Sequence, residues 1–242
     1  MQLKALFRIT IVFLCFSVQS IAQSDFGLWT GLELNVPITK DIKFGLESQA
    51  RFDNNVSRTK EAFISPYVKW DMKKYFRVGV NYRLSSVPYN STVLNRVFSH
   101  RYTLDLEFRN ILDLFSNKNK IKLAMRLRAT NEHEREKLNK NYLRYKIKAD
   151  YNLPKTKLEP SLSAEFFYHF NDQIVYTFNE VKTFNRINKF RLRFGFEYPL
   201  SKKHTINIFS IYQHQIAGAD HSFIIGAGYS FSMRKPLINK KD

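Results

Sequence analysis

Charged side chains recur at every second position along several stretches of this sequence. The stretches RYKIK (Arg144–Lys148) and KFRLR (Lys189–Arg193) both alternate cations with apolar or aromatic residues. Successive side chains of a β-strand point to opposite faces, so each stretch would present its cations on one face. A wall of cations attracts phosphate or carboxylate solutes. The chemistry that this spacing indicates is the binding of small anions.

Acidic and basic stretches also follow one another along the chain. If consecutive strands pair as neighbours, ion pairs form between them. The predicted basic cluster of the interior comprises Lys122, Arg126, Arg128, Arg144, Lys146, Lys148, Lys189, Arg191 and Arg193. Its predicted acidic partners are Glu47, Asp105, Glu107, Glu159, Glu165 and Glu197. Two interpretations stay open: a basic lumen for anionic solutes, and a pairing network that fills a narrow barrel.

Residue types suited to catalysis are present, but their spacing fits no known catalytic motif. The six histidines show no metal-ligand spacing. Ser210 and His214 would share one strand face about 13 Å apart at ~3.3 Å per residue, beyond a hydrogen bond. We therefore predict no catalytic residue, no metal ligand and no cofactor. A lipid hydrolase with a Ser/His site assembled across strands stays an alternative.

Alternation of apolar and polar residues runs from end to end and predicts eleven strands and no helix. Most would be nine to twelve residues long, against about 5–6 in soluble sheets. Ten residues tilted by about 40° rise about 25 Å, the height of the apolar band of a transmembrane barrel. The predicted strands are 26–36, 42–52, 61–72, 76–84, 100–109, 121–129, 143–151, 158–170, 190–198, 204–214 and 223–231.

The predicted connections alternate between short turns and longer loops, as they do in outer-membrane barrels. The stretches read as longer loops include 85–95 and 171–185. Aromatic residues gather beside the short turns, which is typical of a lipid–water boundary. These residues are Trp70, Tyr75, Phe76, Tyr151 and Tyr198. The fold expected is one antiparallel transmembrane meander barrel of ten to twelve strands, with twelve the best estimate because closed barrels usually have an even number.

The first residues have the layout of a secretory signal peptide: basic residues, an apolar run too short to span a bilayer, and a small residue, Ala22, at the cleavage site. We expect a leader (1–22), a barrel (23–231) and a short basic tail (232–242). Cys15, the only cysteine, lies in the leader, which excludes a disulfide framework. The formal net charge of +18 favours an anionic membrane surface or an anionic solute for an exported chain.

Several stretches together resemble a family of uncharacterised outer-membrane β-barrels from Bacteroidota, domain of unknown function 2490. They are DFGLWTGLELN, FGLESQARF with Glu47 and Arg51 facing inward, LRYKIKADY followed by PSLSAEFFY, NKFRLRFGFEYPLSKKHTINI and GAGYSF. The resemblance implies export, insertion into the outer membrane and a barrel. It brings no catalytic residues.

The function expected is therefore that of an outer-membrane barrel in a Gram-negative bacterium. It would be either a narrow pore for small anionic solutes or a closed structural barrel. The expected partners are outer-membrane lipids, the machinery that inserts barrels and small anionic solutes, with no role for nucleic acid. A soluble secreted barrel that binds an apolar ligand is a further alternative. In such a barrel the apolar face of every strand would point inward and the charged face outward.

Overall fold

The structure is a computed structural model that describes residues 25–89, 92–114, 120–134, 139–154, 156–177, 180–216 and 221–233. The predicted leader and residues 234–242 of the predicted tail lie outside the described residues. Within these ranges, no helix is both long and apolar enough to cross a membrane.

Eleven strands form one closed barrel, in which consecutive strands are neighbours and the last strand pairs with the first. The all-β meander barrel predicted from alternation is confirmed. The strands are β1 (Asp25–Pro37), β2 (Ile42–Asp53), β3 (Arg58–Asp71), β4 (Phe76–Tyr89), β5 (Thr92–Phe108), β6 (Ile121–Glu134), β7 (Lys140–Tyr151), β8 (Glu159–Thr177), β9 (Glu180–Pro199), β10 (His204–Gln215) and β11 (His221–Ser232).

The barrel closes through a parallel pair. β1 and β11 run side by side in the same direction, from Asp25 opposite Ser222 to Asn35 opposite Ser232. All other neighbouring strands are antiparallel. An odd number of alternating strands leaves the first and last parallel, so the ring closes without the twelfth strand that parity led us to expect.

The two rims of the barrel differ in a way that the sequence did not predict. We call the rim that contains Asp25 the upper rim and the rim that contains Pro37 the lower rim. The stretches read as longer upper loops are largely strand: β4 and β5 pair as far as Tyr89 opposite Thr92, and β8 and β9 as far as Thr177 opposite Glu180. The prediction of long upper loops is therefore wrong, because backbone pairing continues past the rest of the wall.

Alternation decides which side chains face outward. On β9, Leu192, Phe194 and Phe196 are exposed on the outer surface, whereas Arg191 and Arg193 line the interior. Large apolar residues are exposed on ten of the eleven strands, up to 63% for Phe98. A soluble monomer rarely exposes a continuous apolar surface of this extent.

Inside the barrel, two aromatic side chains extend across the neighbouring strand at a position where that strand has a glycine. Tyr67 of β3 lies over Gly45 of β2, and its hydroxyl reaches Asn35 of β1 at 2.6 Å. On the other side of β1, Phe209 of β10 lies over Gly226 of β11 and packs edge-on against Trp29 of β1. Both crossings end on β1, so they fasten the strand that forms the parallel seam to its second neighbours on each side.

Replacing a crossing glycine should destabilise the barrel. A Cβ atom at Gly45 or Gly226 would overlap the aromatic ring above it, whereas one at Gly79 would lie 3.5 Å from its nearest neighbours. Gly45→Ala and Gly226→Ala should each lower the free energy of unfolding by about 1–3 kcal/mol. Urea titration of the detergent-solubilised protein measures this, with Gly79→Ala as the matched control. Equal losses for all three variants would contradict the steric explanation.

Candidate functional site

The barrel encloses a cavity of about 550 Å³. Asp25, Asp53 and Gln215 line it at the upper rim, and Lys69, which pairs in register with Lys43, lines it toward the lower rim. Thirteen lysines and arginines line this cavity, against eight aspartates and glutamates. It is therefore an interior space with an excess of positive charge.

Most of the predicted interior residues meet in this cavity. The side chains come from β2 and from β5 to β9, and closure of the barrel brings them together. The predicted cations that line it are Arg126, Arg128, Arg144, Lys146, Lys189, Arg191 and Arg193. The predicted acidic residues that line it are Glu47, Asp105 and Glu165.

The remaining predicted residues lie nearer the lower rim and do not line the cavity. The ammonium of Lys148 lies 2.8 Å from an Asp150 carboxylate oxygen and 3.6 Å from one of Glu197. Glu107 pairs with an arginine of β4, Glu159 opens β8, and Lys122 is exposed near the start of β6. These residues occupy inward-facing positions of their strands, but they lie too close to the lower rim to line the cavity.

Glu165 is the centre of the ion pairs on the β6–β9 side of the barrel. Its carboxylate lies 2.8 Å from the Arg144 guanidinium, 3.0 Å from that of Arg126 and 3.4 Å from that of Arg191. Its side chain is only 6% exposed. Three guanidinium groups thus share one buried carboxylate, and the group keeps a net positive charge.

A second centre, Glu61 of β3, was not predicted. Its carboxylate lies 2.7 Å from the guanidinium of Arg51 and 3.9 Å from those of Arg83 and Arg101, and it accepts a hydrogen bond from Ser85. Glu61 opens the strand predicted for residues 61–72, so its alternation with Phe63 and Ser65 was available as a signal. Which arginines it meets depends on the register of the four strands β2 to β5.

Aromatic rings support the cations that line the cavity. The Arg83 guanidinium lies 3.5 Å from the centre of the Phe63 ring, and that of Arg193 lies 3.7 Å from the centre of the Phe209 ring. A guanidinium over an aromatic face gains electrostatic attraction while its edge stays free to donate hydrogen bonds. The rings therefore hold cations in place without consuming their donors.

Ion pairs also cross the lower end of the barrel. Asp71 lies 2.8 Å from the guanidinium of Arg109 and 3.4 Å from the ammonium of Lys43, and it also pairs with Arg77. Arg77 contacts Glu107 at 3.4 Å. None of these five residues lines the cavity. This network therefore occupies the β2–β5 side of the interior between the cavity and the lower rim.

The histidines take part in no metal-binding group in the part of the chain that the structure describes. No three histidine, cysteine, aspartate or glutamate residues among the described ones are placed to hold a metal ion. His214 Nδ1 lies 3.1 Å from His221 Nδ1 on the outer surface, while Ser210 pairs in register with Phe194 and Ile225. The observed contact of His214 is thus another histidine on the neighbouring strand.

A closed β-barrel with an apolar exterior and a charged, mainly basic lumen is the class of protein that these features define. The chain belongs to the family described as protein of unknown function (DUF2490), whose model matches residues 26–223. This match confirms the family that the sequence resembles. No curated protein sequence matches the chain.

Two solved structures are similar to the chain at low identity. One is an anion-selective porin from Comamonas acidovorans, with 12% identity and a TM-score of 0.37, covering 83% of this chain and 54% of the porin. The chain thus spans about half the length of that porin. The other comes from work on the in-meso crystallization of membrane proteins, with 14% identity and a TM-score of 0.37, covering 81% of this chain and 77% of the other.

Removing the shared carboxylate should destabilise the barrel strongly. Glu165→Gln keeps the side-chain volume but leaves three guanidinium groups without their common anion, so the free energy of unfolding should fall by about 3–5 kcal/mol. The matched control is Glu197→Gln, whose carboxylate is 47% exposed and should cost less than about 1 kcal/mol. Urea titration in detergent checks both values. A loss at Glu165 no larger than at Glu197 would show that the buried cluster does not stabilise the fold.

Proposed function

We propose that this chain is an outer-membrane β-barrel protein of a Gram-negative bacterium whose basic lumen admits small anionic solutes. The observation that carries the proposal is the interior cavity, with thirteen basic and eight acidic lining residues. A lumen lined by an excess of cations concentrates anions and repels cations. The apolar exterior and the leader-like first residues support the membrane location.

Polar and apolar faces have the arrangement that a bilayer requires. The backbone groups of each strand pair with both neighbours, and closure leaves no free sheet edge around the wall. The exposed aromatic residues Trp70 and Tyr198 lie near the lower rim, where amphipathic rings favour the headgroup region. The charged interior also gives an apolar ligand little to contact, which disfavours the alternative of a soluble lipid-binding barrel.

The membrane location predicts a characteristic behaviour on extraction. We expect the full-length chain, expressed in a Gram-negative host, to fractionate with the outer membrane and to require detergent for release. The unboiled protein should migrate differently from the boiled protein in a denaturing gel, because closed barrels resist unfolding by the gel detergent. Folded protein that stays in solution without detergent would refute the membrane location.

The charge of the lumen predicts anion selectivity in planar bilayers. Under a KCl gradient, the reversal potential of the wild-type channel should lie closer to the equilibrium potential of chloride than to that of potassium. Lys146→Glu and Lys189→Glu should shift it toward potassium, because both side chains line the cavity. Lys122→Glu, an equal charge change at an exposed position outside the cavity, is the control and should leave it nearly unchanged. Cation selectivity of the wild-type channel would contradict the proposal.

A second candidate is a closed structural barrel. It is favoured by the ionic network around Asp71, which crosses part of the interior below the cavity. A closed barrel would be electrically silent in the same bilayers although the protein is folded and inserted. The conductance measurement therefore separates the two candidates.

A further inference from the structure

Positive charge is concentrated on one half of the cavity wall. The half formed by β1 to β5 contributes five basic and six acidic lining residues, so its charges nearly cancel. The half formed by β6 to β11 contributes eight basic residues and only two acidic ones. The basic residues of this second half, which we call the basic wall, are Arg126, Arg128, Lys140, Arg144, Lys146, Lys189, Arg191 and Arg193.

Several cations of the basic wall lack a carboxylate partner. Among the described residues, no carboxylate oxygen lies within 4 Å of the charged groups of Lys146, Lys189 or Arg193. Lys146 faces Glu165 in register, yet that carboxylate is already shared by three arginines. The ammonium of Lys189 lies 5.1 Å from the centre of the Phe167 ring. These three charges are therefore available to an anion in the cavity.

Hydrogen-bond donors on the same wall are also unused. The Nε atoms of Arg126 and Arg191 are buried and have no hydrogen-bond partner, although both side chains line the cavity. A buried donor without a partner carries a desolvation cost that an acceptor atom from a ligand would remove. The wall thus combines unpaired charge with unpaired donors.

We propose that the basic wall binds the phosphate group, or a chemically equivalent multivalent oxoanion, of a small organic solute. This inference rests on the proposed anionic lumen and names the ligand class within it. A phosphate offers several acceptor oxygens and up to two negative charges, which suits arginine forks together with lysine ammonium groups. A halide offers one charge and no directed acceptors. The cavity of about 550 Å³ exceeds the size of an inorganic ion and falls in the range of small-molecule sites.

The chain contains its own reporter for this site. Trp29 lines the cavity, and its ring centre lies 5.2 Å from the Arg191 guanidinium and 4.1 Å from that of Arg51. The only other tryptophan, Trp70, is exposed on the outer surface. In a Trp70→Phe background, fluorescence excited at the red edge of the tryptophan band, where tyrosine does not absorb, therefore reports the cavity alone.

The test is a fluorescence titration of the Trp70→Phe protein in detergent micelles at constant ionic strength. Inorganic phosphate and glucose 6-phosphate should each give a saturable change, with half-saturation at least about tenfold below that of chloride. Unmodified glucose should give none. If phosphate and chloride behave alike, or if no phosphate compound gives saturation, the proposal is overturned.

Variants on the two halves of the cavity show whether the site lies on the basic wall. Lys146→Gln combined with Lys189→Gln should raise the half-saturation concentration of phosphate at least about tenfold. Lys69→Gln, which removes one charge from the opposite half of the same cavity, should change it less than about threefold. Lys146→Arg should retain binding because it keeps the charge. An effect of Lys69→Gln as large as that of Lys146→Gln alone would mean diffuse attraction by the whole lumen and would overturn the site.

The outcomes for the site and for the pore are independent. Anion-selective conductance without phosphate saturation would refute the oxoanion site and leave the pore proposal standing. Phosphate saturation in a barrel that is silent in bilayers would support the site and refute the pore. The gel-mobility difference identifies variants that have folded. If the double variant does not fold, Lys189→Gln alone is compared with Lys69→Gln. Lys189 pairs in register with Gln215 at the upper rim.

Discussion

The two-residue repeat of the β-strand is the constraint on which this molecule depends. Because the wall is a single closed sheet, each inward position faces an enclosed space and each outward position faces the surroundings. Charged residues alternate with apolar ones, so nearly all strand charges are gathered inside. Burying charge is costly unless the charges are paired, and this cost explains why carboxylates such as Glu61 and Glu165 each contact three arginines.

The ion pairing inside the barrel is incomplete, because more cations than carboxylates line the cavity. One half of the cavity wall balances its charges and the other half does not. The rings of Phe167 and Phe209 lie beneath Lys189 and Arg193 of the surplus and stabilise them by a weaker interaction than a carboxylate would give. The surplus therefore persists as a net positive charge on one side of the cavity.

Local pattern was enough to predict the strands and the inward direction of seven of the thirteen cations that line the cavity, because direction follows from position in the strand. It was not enough to predict which residues meet. Glu61 finds Arg51, Arg83 and Arg101 only through the register of β2 to β5, and Tyr67 reaches Asn35 only because Gly45 leaves room between them. Lys148 and Lys146 have the same local pattern, but only Lys146 lines the cavity. The continuation of β8 and β9 as far as Thr177 and Glu180 was also missed, because residues 171–185 lack a regular alternation and were interpreted as a loop.

The parallel seam has a topological consequence. A meander with an even number of strands returns to the edge from which it started, whereas this one begins β1 at the upper rim and ends β11 at the lower rim. In the membrane location proposed above, Asp25 and Ser232 would therefore face opposite compartments. Between these two residues the chain crosses the wall eleven times, so one covalent chain would connect the two sides.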